Sequence, residues 1–296
     1  MRDDVEFRAD GVTLRGWFYK PAGKGPFPCV IVVHGMSAVI QQTLWRYGEV
    51  FSEAGFGVLV YDHRNFGSSD GEPRQHSDPV QNARDMRDAI TYVQSRSDVD
   101  PQKIGIWGTS YGGGVVALVA AVDRRVKAVV TQVPEFSGLH TLRGLMSFKE
   151  FRDFSEMLDK QRLARQKGEP IARVKIVATD PNDTTALMPP GRAFWYLSEC
   201  APSEKWINEI TMTSMDHYME WDVTAYIPLI SPTPLLMIFA QSEEGDLPPE
   251  QQYDAYHSAR EPKRLVILEG DHYDAYGINL ERGAQAARDF YIQFLK

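Results

Sequence analysis

The sequence predicts an α/β protein: a mostly parallel sheet flanked by helices, with a helical stretch inserted late in the chain. Three observations carry this. Short apolar runs alternate with amphipathic helical segments through the first 134 residues. Several runs, CVIVV at 29–33 and GVLVY at 57–61 among them, are apolar without a break, as strands buried on both faces are. The alternation stops near residue 135 and resumes near 233.

Residues 5–8 and 13–19 read as an antiparallel pair, with Ala9-Asp10-Gly11 as the turn. The run 29–33 is a central strand, 44–54 a helix ended by Gly55, and Gly57–Tyr61 the next strand. Val80, Ala83, Met86, Ile90 and Val93 recur at helical spacing across 79–97. A strand at 103–107, a helix at 112–122 and a strand at 126–133 follow. After the interruption come a strand at Leu235–Ala240, a helix at Pro249–Ser258, a strand at 264–268 and a closing helix at 281–295. In a sheet of this kind ligands bind outside the carboxyl ends of the strands.

The stretch 135–232 is charged, helical over 149–167, and rich in aromatics, including Phe148, Phe151, Trp195, Tyr196, Trp206 and Trp221. MPPG at 188–191 breaks it. It reads as a helical cap subdomain inserted between two halves of a core, 1–134 and 233–296. The alternative is plain helical decoration of the sheet.

Bulk properties narrow the function. Of 296 residues, 43% are hydrophobic and 24% charged, ordinary fractions for a globular chain. A formal net charge of −8 argues against nucleic acid as a partner. No run of about 18 apolar residues would span a membrane. MRDDVEFRADG lacks the apolar centre of a signal peptide, so a cytoplasmic location is expected. Cys29 and Cys200 form neither a disulfide framework nor a zinc spacing, and Cys29 reads as a small buried hydrophobe. No cofactor and no metal are called for. Exposed aromatics in 135–232 would serve either a substrate or a partner, a homodimer among them.

The chemistry concentrates at GTSYGGG, residues 108–114. Gly-x-Ser-x-Gly recurs by chance, but here a strand precedes it and a helix follows, the setting of a nucleophile on a sharp turn. Serine is a weak nucleophile and needs a base. The chain order for this architecture is serine, acid, histidine. His272, in EGDHYD just past the last strand, is the one histidine in the base's position. His34, His63 and His76 precede the serine, His140 and His217 lie in the inserted stretch, and His257 is on a helix. The acid belongs to QSEEGD after Leu235–Ala240: Glu243 by its nearness to the strand end, with Glu244 and Asp246 competing and Asp246 the alternative. Oxyanion donors are expected from the Tyr111 amide and, across the loop His34-Gly35-Met36-Ser37, from the Met36 amide. His34 braces that loop or takes part in the reaction. Asp62, His63, Arg64 and Asp70 read as a polar brace of the same edge rather than as substrate contacts. Glycine spacing excludes a dinucleotide fingerprint, and no Gly-Lys-Ser/Thr follows to make a phosphate loop.

Together, HGMS (34–37), YDHRNFGSSDG (61–71), GTSYGGG (108–114), SPTPLLMIFAQSE (231–243) and GDHYDAY (271–277) resemble the α/β-hydrolase superfamily over nearly the whole chain. More narrowly they are similar to the branch of bacterial esterase- or dipeptidyl-peptidase-like hydrolases and fungal polyketide thiohydrolases and acyltransferases, as is WINEITMTSMDHYMEWD (206–222). The resemblance implies Ser110 as nucleophile, His272 as base, and Met36 and Tyr111 as oxyanion donors. Members usually carry aspartate where this chain aligns Glu243, and the loop is one residue longer here, with Gly245 and Asp246 inside it. The expected function is hydrolysis of an ester or thioester of a mostly apolar acyl substrate. The alternatives are acyl transfer or C–C bond hydrolysis on a polyketide-type substrate with the same triad, and a non-catalytic ligand-binding member of the fold.

Overall fold

A computed structural model describes residues 2–180, 183, 185–188, 191–242, 247 and 249–296. Eight strands form one sheet in the order β1-β2-β4-β3-β5-β6-β9-β10. They are β1 (Arg2–Ala9), β2 (Val12–Tyr19), β3 (Phe27–Val33), β4 (Gly57–Tyr61), β5 (Val99–Thr109), β6 (Val126–Gln132), β9 (Leu235–Ala240) and β10 (Lys263–Leu268). β1 and β2 are antiparallel to their neighbours, and every other pairing is parallel.

The central strands are apolar because both faces are covered. β4 is buried at all five positions, and Val30 to Val33 of β3 are fully enclosed. Helices α2 (Pro79–Ser95) and α3 (Tyr111–Val122) pack together on one face, and α1 (Leu44–Glu53) packs with α9 (Leu280–Leu295) on the other. α2 begins where Asp78 accepts from the amides of Val80 and Gln81, with Pro79 in the first turn where a missing N–H costs nothing.

β5 starts four residues earlier than the expected 103. Val99 pairs with Phe27 across a bulge, which accommodates Asp100 and Pro101 in a strand whose composition does not announce one.

Between β6 and β9 lie α4 (Gly138–Leu145), α5 (Phe148–Gln166), a two-stranded ribbon of β7 (Arg173–Val174) and β8 (Ile210–Thr211), the short α6 (Arg192–Phe194) running into a wide turn at Trp195–Cys200, and α7 (Met212–Glu220). α5 opens with a reciprocal capping box between Ser147 and Glu150. Arg162 and Arg165 of α5 both reach the buried Asp216 of α7. α8 (Pro249–Ser258) follows β9. Among the described residues no helix is long and apolar enough to cross a membrane. Cys29 is buried and Cys200 exposed, both as free thiols, and burial pushes the Cys29 thiol up to about 12.

Candidate active site

Ser110 stands between the last residue of β5 and the first of α3, at φ 53° and ψ −128°. A non-glycine residue there is strained, and it persists because its surroundings over-determine it. Its amide donates to Gln132 O (2.9 Å), and its carbonyl accepts from Gly113 N (2.8 Å) and Glu135 N (3.0 Å). The flanking glycines are steric necessities: a Cβ on Gly108 would lie 2.1 Å from Gly112 O, and one on Gly112 would lie 2.4 Å from His34 O. Ser110 itself is half-buried.

The loop after β3 lies against this turn. A Cβ placed on Gly35 would be 3.2 Å from Ser110 Cβ and 3.6 Å from its Oγ. Met36 is half-buried beside it, and Ser37 turns the chain with φ 57°. Tyr111 is buried, its hydroxyl bonded to Ser77 Oγ (2.8 Å) and accepting from Asn82 Nδ2 (2.9 Å).

His34 has a structural task. Its Nε2 accepts from the amide of His63 (3.1 Å), so the proton sits on Nδ1, which donates to Gly35 O (2.8 Å). His63 Nε2 donates to His34 O (3.3 Å), and the rings are 4.3 Å apart. Burial depresses both histidines, His34 to about 4 and His63 well below its ordinary value, so the pair is neutral. Asp62 is equally committed. It accepts from Ile40 N (2.9 Å) and Ser68 N (2.8 Å), and burial raises its carboxyl to about 6. Arg64 is clamped to Asp85, and Asp70 to Arg15. The cluster is thus the brace that the sequence suggests. A shallow polar cleft of about 690 Å³ beside Asp70 does not include Ser110 or His272; its Arg15 and Arg74 are occupied by Asp70 and by the carbonyls of Gly67 and Ser69.

His272 is buried at the start of a short 3₁₀ turn, His272–Ala275, just after β10. Its ring lies 5.8 Å from that of Tyr276, whose hydroxyl is 2.8 Å from Thr109 Oγ1. The turn is thereby tied to the residue preceding Ser110, and serine and histidine stand at the same end of the sheet. The loop after β9 starts beside it, with Gln241 N donating to Leu268 O (2.8 Å) and Ser242 N to Gly270 O (2.9 Å). The carboxylates Glu243, Glu244 and Asp246 themselves lie outside the described residues.

Two contacts here carry no signal in the sequence. Tyr196 stacks on Tyr276 (4.5 Å, 26° between planes), and Arg192 reaches both Asp271 and Asp274. Each joins residues about 80 positions apart, beyond any local pattern. The Thr109–Tyr276 contact, 167 positions apart, is equally beyond any local pattern.

A family model for the X-Pro dipeptidyl-peptidase (S15) family matches residues 10–274. The chain belongs to this family, within the α/β-hydrolase superfamily. It is 32% identical to polyketide transferase ATR5 of Stachybotrys chlorohalonatus, over 90% of this chain and 88% of that protein. Thiohydrolase aneE of Aspergillus aculeatus is 27% identical over 99% of this chain and 92% of its own length. The crystal structure of the α/β hydrolase GrgF from Penicillium sp. sh18 superposes with a TM-score of 0.84 at 29% identity, covering 100% of this chain and 99% of that one. The resemblance read from the motifs is therefore borne out at the level of superfamily and branch.

Proposed function

We propose that this α/β hydrolase is a serine hydrolase cleaving an ester or thioester of a mostly apolar acyl substrate. The observation that carries the reading is the strained backbone of Ser110 at the strand–helix turn, with the Gly35-Met36 loop packed against it. Ser110 Oγ attacks the acyl carbon as His272 takes its proton. The amides of Tyr111 and Met36 receive the oxyanion. The imidazolium of His272 then protonates the departing alcohol or thiol, leaving an acyl group on Ser110. Water, deprotonated by His272, attacks that acyl group and releases the acid and free Ser110. Glu243, with Asp246 as the alternative, orients His272 and offsets its charge. Residues 135–232 form the cap over the site, and its aromatics line the acyl subsite.

A fluorophosphonate tests the reading: wild type is labelled and Ser110→Ala is not. A panel of matched oxygen esters and thioesters then ranks the leaving group. An unlabelled wild type would sink the proposal.

A second outcome is favoured by the transferase among the relatives: the acyl-enzyme is captured by an alcohol or amine rather than by water. Turnover in ¹⁸O-water with a candidate acceptor separates the two. Label in the released acid marks hydrolysis, and unlabelled adduct marks transfer.

A further inference from the structure

We infer that Arg192 is a positioning residue that ties correct placement of the His272 turn to docking of the 192–200 segment. The inference rests on the Ser110–His272 reading above. It starts from what Arg192 touches. Its guanidinium donates from Nε to Asp271 Oδ2 (2.8 Å) and from Nη2 to Asp271 Oδ1 (3.0 Å), and it also reaches Asp274. These two carboxylates build the turn that carries His272. Asp271 Oδ1 accepts from the amides of Tyr273 (2.9 Å) and Asp274 (3.0 Å), while Asp274 Oδ2 accepts from Asp271 N (3.0 Å). The fork therefore grips both halves of a reciprocal capping box whose first helical residue is His272.

The grip has a second side. The Arg192 guanidinium lies 4.7 Å from the Trp195 ring, and Trp195 packs beside Gly277. On the buried side Tyr196 stacks on Tyr276, and its hydroxyl donates to Gln42 O (2.9 Å). One short segment thus holds the base turn by an ion pair outside and by an aromatic stack inside.

A partly exposed ion pair adds little to global stability. Arg192 is 42% exposed, and Asp271 and Asp274 are 28% and 26% exposed. Its effect is local instead: it fixes the backbone on which the base is mounted, and reaction rates respond steeply to small misplacements of a catalytic group. The arrangement makes full reactivity conditional on the segment being seated, and it makes that reactivity sensitive to salt.

The test reads the rate at which a fluorophosphonate labels Ser110, in wild type, Arg192→Met and Arg192→Lys, between about 20 mM and about 500 mM KCl. The expected result is labelling slowed roughly tenfold or more in Arg192→Met, with partial recovery in Arg192→Lys. Wild-type labelling falls as salt rises, and Arg192→Met is insensitive to it. With a chromogenic ester, kcat falls and KM stays within about twofold. The salt series on wild type needs no variant, so a poorly folding mutant does not block the answer. Arg192→Met labelling at the wild-type rate at both salt levels would overturn the inference alone, as would a wild-type labelling rate that does not change with salt. Absence of labelling in wild type would instead remove the hydrolase reading and this inference with it.

Discussion

The Tyr276 hydroxyl lies 2.8 Å from Thr109 Oγ1, both groups buried, joining the turn that carries His272 to the residue before Ser110. This bond joins the two loops directly and helps to set their spacing. Removing it leaves the Thr109 hydroxyl buried without that partner, at a cost of about 1–3 kcal/mol. Tyr276→Phe should keep the ring stack on Tyr196 yet lower kcat by roughly tenfold, with a melting temperature reduced by a few degrees. Equal kcat in Tyr276→Phe and wild type would show that the spacing is set elsewhere.

Ser110→Ala and His272→Ala should each lower kcat by about 10⁴-fold or more while leaving the melting transition near that of wild type. The acid is decided by a pair of variants. Glu243→Gln should cost a large factor, since an amide no longer favours the reactive tautomer of His272, and Asp246→Asn should cost little. The reverse ranking reassigns the acid to Asp246.

Gly112→Ala tests the packing that creates the turn. Its Cβ would sit 2.4 Å from the His34 carbonyl oxygen and 3.2 Å from that of Val33, which are backbone atoms unable to step aside as a flexible side chain would. Overpacking of this kind costs on the order of 1–3 kcal/mol or more. Gly112→Ala should therefore unfold at markedly lower urea concentration than wild type. A midpoint unchanged within error would mean that the β3 loop moves freely, and with it the Met36 amide.

How much of this was legible in the sequence follows from the range of each interaction. The central strands were readable because burial on both faces makes apolar runs, α2 because its apolar residues recur at helical spacing, and α3 because an unbroken apolar run follows the glycines. The positions of Ser110 on the strand–helix turn and of His272 just past the last strand were readable because the order of strand, turn and helix around them is local too. The bulged start of β5 was not, because Val99 joins the strand only through pairing with Phe27 of β3, with Asp100 and Pro101 carried in the bulge between the paired residues. His34 left two roles open. Its neighbour in space, His63, is 29 residues away, and only the His63 amide on Nε2 turns it into a neutral brace. The clamp from Arg192 and Tyr196 depends on tertiary docking alone, and no spacing in the chain encodes it.

His34 gives the last prediction, on pH. Its ordinary pKa of about 6.5 falls to about 4 in the folded protein, through burial. A depressed pKa means that the unfolded chain binds the proton more tightly. The stabilisation is then complete above about pH 6.5 and is lost as pH falls toward 4. A shift of this size corresponds to roughly 3 kcal/mol for His34, and His63 is displaced in the same direction. Protonation at Nε2 would also set two N–H groups against each other at the His63 amide. Wild-type urea midpoints should therefore decline between about pH 6.5 and 4.5, where protons bind to the unfolded chain. In His34→Gln the decline should be visibly shallower, from a lower starting stability at neutral pH. Parallel pH curves for the two proteins would show that His34 does not carry this dependence.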